Sequence, residues 1–291
     1  MTAEVETPSG KSAADENFPV GSVLLPPRLR PHIRLFYAFA RAIDDIADTP
    51  DLTPAEKIRR LDGFADAIRG GGSPAPSFRK AHALRHSLTE TGVSDRHCLD
   101  LVRAFRQDAE KLRYDDWDDL MGYCDLSAAP VGRYLIDLHG ESAAAYPSSD
   151  ALCNALQVLN HLQDCREDYE TLNRVYLPQD WMAAAGGDVG ALGQARADAA
   201  LRQVLDRCLD ATEQLLARAE PLPRRVRGLR FAMEAAVIIA IARKLLGALR
   251  RRDPLAERVV LSRWQFAACV LVGVGSVLRG RAVGLFRAAP E

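Results

Sequence analysis

Phe36-Tyr37-Ala38-Phe39-Ala40-Arg41-Ala42-Ile43-Asp44-Asp45-Ile46-Ala47-Asp48 is the stretch on which the fold of this 291-residue chain turns. On a helix each residue advances about 100°. With Tyr37 as zero, Arg41, Asp44 and Asp48 fall at about +40°, −20° and +20°. Phe36, Ala40, Ile43 and Ala47 gather at about −90°. One narrow row therefore carries an aromatic ring, a cation and two carboxylates, beside a packing stripe.

Far downstream, Gln157-Val158-Leu159-Asn160-His161-Leu162-Gln163-Asp164-Cys165-Arg166-Glu167-Asp168 repeats the plan. Gln157, Asn160, Asp164 and Asp168 lie within about 80° of one another, and Leu152, Leu156, Leu159 and Leu162 serve packing. Two such rows facing each other would build a cage of hard oxygen ligands for divalent cations, which are commonly used to hold phosphate. Spacing alone does not make the case. Asp-x-x-x-Asp occurs five times, also at Asp62/Asp66, Asp115/Asp119 and Asp206/Asp210. The first of these stands among Arg59, Arg60 and Arg69 and the last among Arg202 and Arg207, as ordinary charged surfaces do. Asp115 and Asp119 share a loop-like acidic cluster around Trp117.

The rest of the chain reads as helix. Pro31 opens a helix to about Asp48, and Thr53-Pro54-Ala55-Glu56 opens another with a capping box. After the Gly70–Pro74 break, helical periodicity covers about 78–89, 94–112 and 120–138, with an irregularity at Ala129-Pro130. Asp150 caps the helix bearing the second row. Gly186–Gly193 is a loop, and long helices then run to about Arg218, from about Arg224 to Leu249 and over about 262–286. No segment alternates with period two, so no sheet is expected. The expectation is an all-α fold of about ten helices, with a disordered tail at 1–15 and one domain over 16–291.

Hydrophobic residues make up 48% and charged ones 26%, with a net charge of −1. Such a balance excludes a strongly basic nucleic-acid binder. Six cysteines without C-x-x-C spacing suggest neither zinc nor a disulfide framework, and fit a reduced cytoplasmic interior. The first 15 residues lack the apolar core of a secretion signal. The apolar run 266–278 is too short to span a bilayer and reads as a core helix. Its flanking Arg263, Arg279 and Arg281 leave open a peripheral contact at the inner membrane face.

Smaller motifs carry less. His82 and His86 lack the glutamate of H-E-x-x-H and read as surface histidines. No Walker loop, nucleophile elbow or dinucleotide fingerprint is present. The segment Tyr123-Cys124-Asp125-Leu126-Ser127-Ala128-Ala129-Pro130-Val131-Gly132-Arg133 is either a kinked core helix or the opening of a groove for a long apolar ligand. Arg174-Val175-Tyr176-Leu177-Pro178 is either a plain helix exit or part of a diphosphate site.

The ordered set Tyr37-x-x-x-Arg41-x-x-Asp44-Asp45-x-x-Asp48, Gln157-x-x-Asn160-x-x-x-Asp164-x-x-x-Asp168 and Arg174-x-Tyr176-Leu177-Pro178 resembles the squalene and phytoene synthase family, over nearly the whole chain. Glu16-Asn17-Phe18-Pro19-Val20, Phe36 to Arg41, Ser127-Ala128-x-Pro130-Val131-Gly132-Arg133 and Asn160 to Cys165 most resemble its hydroxysqualene synthase branch, of bacterial hopanoid pathways. That resemblance implies the all-α isoprenoid synthase bundle with a central apolar cavity. It further implies presqualene diphosphate as substrate and hydroxysqualene as product, with about two or three magnesium ions on Asp44, Asp48, Asp164 and Asp168. NADPH is not expected. Tyr37, Arg41, Tyr123, Gln157 and Asn160 become catalytic candidates, and Phe18, Arg133, Arg174 and Tyr176 substrate-binding ones. Partner enzymes of the squalene pathway are further candidates, and presqualene diphosphate or phytoene synthesis and a non-catalytic assembly factor are the alternatives. Gln163 and Glu16 stand where many relatives carry basic residues. Their lost charge suggests a site for one diphosphate instead of two.

Overall fold

Proline and threonine punctuate the first helices of the computed structural model, which describes residues 5–6, 24–71 and 76–287. Phe18, Glu16 and most of the tail expected at 1–15 lie outside the described residues; Val5 and Glu6 are described, and take up Arg60 and Lys80. Helix α1 (Arg30–Asp48) has Pro31 in its first turn, where a missing N–H costs nothing. Helix α2 (Pro54–Arg69) is capped by Thr53, whose hydroxyl accepts from the Glu56 N–H at 3.3 Å. Gly70 ends it at φ 89°, a left-handed turn that suits glycine.

Helices α3 (Arg79–Thr91) and α4 (Arg96–Asp108) pack on this pair. Next come α5 (Trp117–Ser127) and α6 (Ala129–Leu138), divided at Ala128, just before Pro130, where the sequence marked an irregularity. Helix α7 (Tyr146–Leu172) carries the second row. It begins a full turn earlier than expected, with Pro147 in its first turn, so Asp150 is not its cap. Asp150 instead takes both arms of Arg133 at 2.9 and 2.8 Å. The chain continues through α8 (Gln179–Ala184), α9 (Ala199–Ala219), α10 (Leu222–Arg225), α11 (Leu229–Leu249) and α12 (Arg263–Arg287). Ten of these twelve helices have ten residues or more.

One expectation is overturned. Strands β1 (Arg113–Tyr114) and β2 (Val175–Pro178) form a two-stranded parallel sheet. They are too short for alternation to be visible, and β2 is buried throughout.

The core is continuous from α1 through α11, with Phe39, Ile43 and Ile46 fully buried at its centre. Phe36 stacks on Tyr134 of α6 at 3.9 Å, fixing α1 against the middle of the bundle. A Cβ on Gly132 would lie 2.2 Å from Ser149 Oγ and 2.7 Å from Cys153 Sγ, so glycine lets α6 close onto α7. All six cysteines are free thiols. No helix among the described residues is long and apolar enough to cross a membrane.

Candidate active site

All eight residues of the two rows line one cavity of about 390 Å³: Tyr37, Arg41, Asp44 and Asp48 from α1, and Gln157, Asn160, Asp164 and Asp168 from α7. The rest of the wall is mostly apolar, with Ile33, Phe36, Phe105, Leu152, Leu156, Phe231, Ile238, Ile241 and Leu245, and holds a further buried carboxylate, Glu234 of α11. Ser127, Ala128, Val131, Gly132 and Leu135 also line it, so the proline-broken α5–α6 junction is cavity wall. One cavity thus joins an acidic wall to a mostly apolar one.

Turn chemistry brings a third element to that acidic wall. Asn173 caps α7 in the left-handed region at φ 52°, a conformation that asparagine tolerates, and turns the chain back. Arg174 then lies 5% exposed at the end of α1, donating to Asp48 Oδ1 at 2.5 Å, the Ala47 carbonyl at 2.8 Å and the Asp108 carbonyl at 3.2 Å. Lys57 donates to the same Ala47 carbonyl at 2.7 Å. Both cations meet the negative end of the α1 dipole. Burial works against the charge of Arg174, but Asp108, Tyr176 and Asp48 outweigh it and hold the proton firmly.

Asp108 lines the cavity although the sequence does not single it out. Its carboxylate accepts from Tyr123 at 2.7 Å and from Tyr176 at 3.3 Å. All three side chains line the cavity. A lone carboxylate in Arg106-Gln107-Asp108 has no spaced partner in the sequence, and its role emerges only when α5 and β2 deliver the two phenols. His161 is also in the wall, stacked on Tyr176 at 3.6 Å; burial, then Arg174, pulls it down to about 3, so it is neutral.

The carboxylates repel one another across the cavity. Burial, then Asp48, lifts Asp44 well above the usual carboxylate range, against the pull of Arg41 at 2.8 Å. Burial, then Asp164 and Asp48, pushes Asp168 up to about 8. Asp48 belongs to α1 and Asp168 to α7, so the two rows feel each other. No three His, Cys, Asp or Glu side chains among the described residues converge as a ready-made metal centre. The two helices form facing walls, not a closed cage. Magnesium suits such walls, because it keeps most of its waters and takes one or two carboxylates together with phosphate oxygens.

The look-alike motifs lie outside this cavity. Asp62 pairs with Arg106 and Asp66 with Arg69. Asp119 holds Lys111 at 2.5 Å and sits in the first turn of α5, which Asp116 caps, so this acidic cluster is helix start and not loop. A wide surface groove contains Asp206 and Asp210, but Arg202 and Arg250 already hold them.

Arg133 does not join the cavity wall; it is committed to Asp150. Gln163 is also outside it, 4% exposed, donating to the Val259 carbonyl at 2.5 Å. Its identity therefore does not set the charge at the acidic wall, contrary to the expectation from sequence. Arg258, on the segment that Gln163 ties down, reaches to 3.8 Å of Asp164 and brings positive charge back.

The family model for squalene/phytoene synthase matches residues 11–265, leaving most of α12 outside the match. A hydroxysqualene synthase of Rhodopseudomonas palustris is 44% identical, over 98% of this chain and 96% of that protein. Another, from Sinorhizobium fredii, is 43% identical, over 90% of this chain and 88% of that protein. The crystal structure of a squalene synthase from Alicyclobacillus acidocaldarius superposes with a TM-score of 0.71 at 31% identity, covering 82% of this chain and 90% of that one. With the paired carboxylate rows, the largely apolar cavity and matches of this length, the chain belongs to the squalene/phytoene synthase family.

Proposed function

We propose that this chain is an isoprenoid-diphosphate enzyme that converts presqualene diphosphate and water to hydroxysqualene and inorganic diphosphate. The observation that carries the proposal is the meeting of both carboxylate rows, Arg41 and Arg174 in the wall of one largely apolar cavity. The diphosphate belongs at the acidic wall and the hydrocarbon along the apolar one.

Two or three magnesium ions on Asp44, Asp48, Asp164 and Asp168, with Asn160 as a neutral oxygen donor, would neutralise the leaving diphosphate. Arg41 and Arg174 add N–H donors on the same side. As the C–O bond breaks, its electron pair leaves with diphosphate and a cyclopropylcarbinyl cation remains. The apolar wall excludes bulk water from it. The rings of Tyr37 and Tyr123 stabilise positive charge through their faces. Asp108 holds Tyr123 and Tyr176 in place as it accepts their hydrogen bonds. One water bonds to carbon and loses its proton, giving the alcohol without a hydride donor, so NADPH has no part. The product is water-insoluble, and a membrane surface or a partner enzyme of the same pathway would receive it.

Arg258 beside Asp164 favours a second reading, because added positive charge would suit two diphosphates, as in presqualene diphosphate or phytoene synthesis. Intact carboxylates oppose a non-catalytic assembly role. Incubation of purified protein with presqualene diphosphate and magnesium, without nicotinamide, should yield hydroxysqualene. Consumption of farnesyl diphosphate with no turnover of presqualene diphosphate would transfer the assignment to the synthase reading. Asp44→Asn or Asp164→Asn should lower turnover by about two orders of magnitude or more, and near-normal rates would sink the role of the carboxylate walls.

A further inference from the structure

Gln157 and His161 stand one helical turn apart on α7, and both line the cavity. Gln157 Nε2 lies 3.2 Å from His161 Nε2. An amide nitrogen can only donate, so the ring nitrogen accepts and the imidazole carries its proton on Nδ1. The ring is held in its turn. Tyr176 stacks on it with 3.6 Å between ring centres and 11° between planes, and Tyr176 donates to Asp108. A line of contacts thus runs from Asp108 through Tyr176 and His161 to the Gln157 amide. No other side-chain hydrogen bond of Gln157 forms among the described residues. With its N–H turned to His161, the amide keeps its carbonyl oxygen, Oε1, for another donor.

Height along α7 gives that oxygen its meaning. Gln157 is about 10 Å along the axis from Asp164, with Asn160 between them. On its other side the helix lines the cavity with Leu156, Cys153 and Leu152. Gln157 therefore stands where the wall suited to magnesium gives way to the wall suited to hydrocarbon. A carbon just parted from a diphosphate at Asp164 and Asp168 lies within a turn or two of it. A cation so placed restricts what can hold water beside it. A carboxylate would collapse onto the cation as an ester, or take a proton from carbon and leave an alkene. A neutral amide oxygen accepts from water and does neither readily. The water that donates to it keeps a lone pair for carbon.

We propose that Gln157 Oε1 holds the water that captures the cation, and that His161 is the positioning residue that turns the amide to do so. The inference rests on the reaction proposed above and adds the place of its nucleophile. The C–O bond to diphosphate breaks with both electrons leaving on diphosphate. The water oxygen forms the new C–O bond from its lone pair, and the surplus proton passes to the released diphosphate, a base made in the same step.

The test measures hydroxysqualene formed per diphosphate released when the full chain turns over presqualene diphosphate with magnesium in 18O-labelled water. The native chain should give equal amounts of the two, with the label in the alcohol. His161→Phe keeps a flat ring on Tyr176 but offers no acceptor, and should lower the ratio at least about tenfold. Alkenes and ring-retaining alcohols should make up the balance. His161→Gln returns an acceptor oxygen and should recover most of the loss. Gln157→Leu should shift the products as His161→Phe does, and carries the test alone should melting show that His161→Phe does not fold. A merely structural histidine would slow diphosphate release and hydroxysqualene formation together, leaving their ratio native. That result, a native ratio in Gln157→Leu, or a His161→Gln no better than His161→Phe overturns the proposal while native hydroxysqualene upholds the reaction. A native chain that forms no hydroxysqualene would instead remove the reaction, and this inference with it.

Discussion

Asp108 shows how one residue gathers the site. Its carboxylate fixes two phenols, its carbonyl accepts from Arg174, and burial, the largest effect, pushes its pKa up to about 7 against the pull of Arg174 and Tyr123. An unfolded aspartate titrates near about 3.9. Between those values the folded chain keeps a proton that the unfolded chain has released. The stability this group contributes is therefore complete below about pH 4 and is lost as pH rises through about 7. Asp108→Asn removes the loss, so the melting temperature of the variant relative to native should be more favourable at pH 8 than at pH 5. The gain in stability should reach up to a few kcal/mol, at about 1.4 kcal/mol for each tenfold change in proton affinity. Equal differences at the two pH values would refute the buried-acid account. The residues legible beforehand were those whose spacing is local, such as Asp44 with Asp48 and Asp164 with Asp168. Asp108 and Arg258 were not, because their partners arrive from other elements. Gln163 was misjudged for a related reason: adjacency to Asp164 in sequence says nothing of direction on a helix, where neighbours point about 100° apart.

At the scale of elements, helices were legible because caps, prolines and 3.6-residue periodicity are encoded within each segment. The α5–α6 break at Pro130 and the end of α2 at Gly70 are examples. The two short strands were not, since β1 and β2 owe their pairing to α7 turning back at Asn173. Helix α12 offers the sharpest test of element packing, because two glycines one half-turn apart differ in surroundings. A methyl on Gly273 meets the Val237 backbone at 2.6 Å, and a backbone cannot move as a side-chain tip can. Gly275 has nothing within 4 Å of its added Cβ. Gly273→Ala should therefore destabilise the chain by about 1–3 kcal/mol, and Gly275→Ala should leave it unchanged or gain up to about 1 kcal/mol of helix propensity. Denaturant midpoints measure both, and the same sign for the two variants would mean that α12 does not close on α11 as described.

The whole molecule stores an unfavourable electrostatic arrangement in its centre. A continuous apolar core holds two acidic helix rows at one cavity, and the raised affinity of Asp44 and Asp168 for protons records first the cost of their burial and then that of neighbouring carboxylates. A ligand bringing positive charge to the folded state alone should relieve it, stabilising the chain by about 2.7 kcal/mol at a hundred times its dissociation constant. Magnesium with inorganic diphosphate should accordingly raise the melting temperature more than either component does, and chelation should reverse the rise. Asp168→Asn separates this from a general effect of salt. With folded-state repulsion reduced, the variant should melt no lower than native without ligand at pH 8, yet lose most of the magnesium–diphosphate shift. A full shift in the variant would remove Asp168 from the binding wall, and a lower melting temperature without ligand would make it a structural residue. Stability given up to the buried carboxylates is, on this account, recovered through the positive charge that magnesium brings with diphosphate.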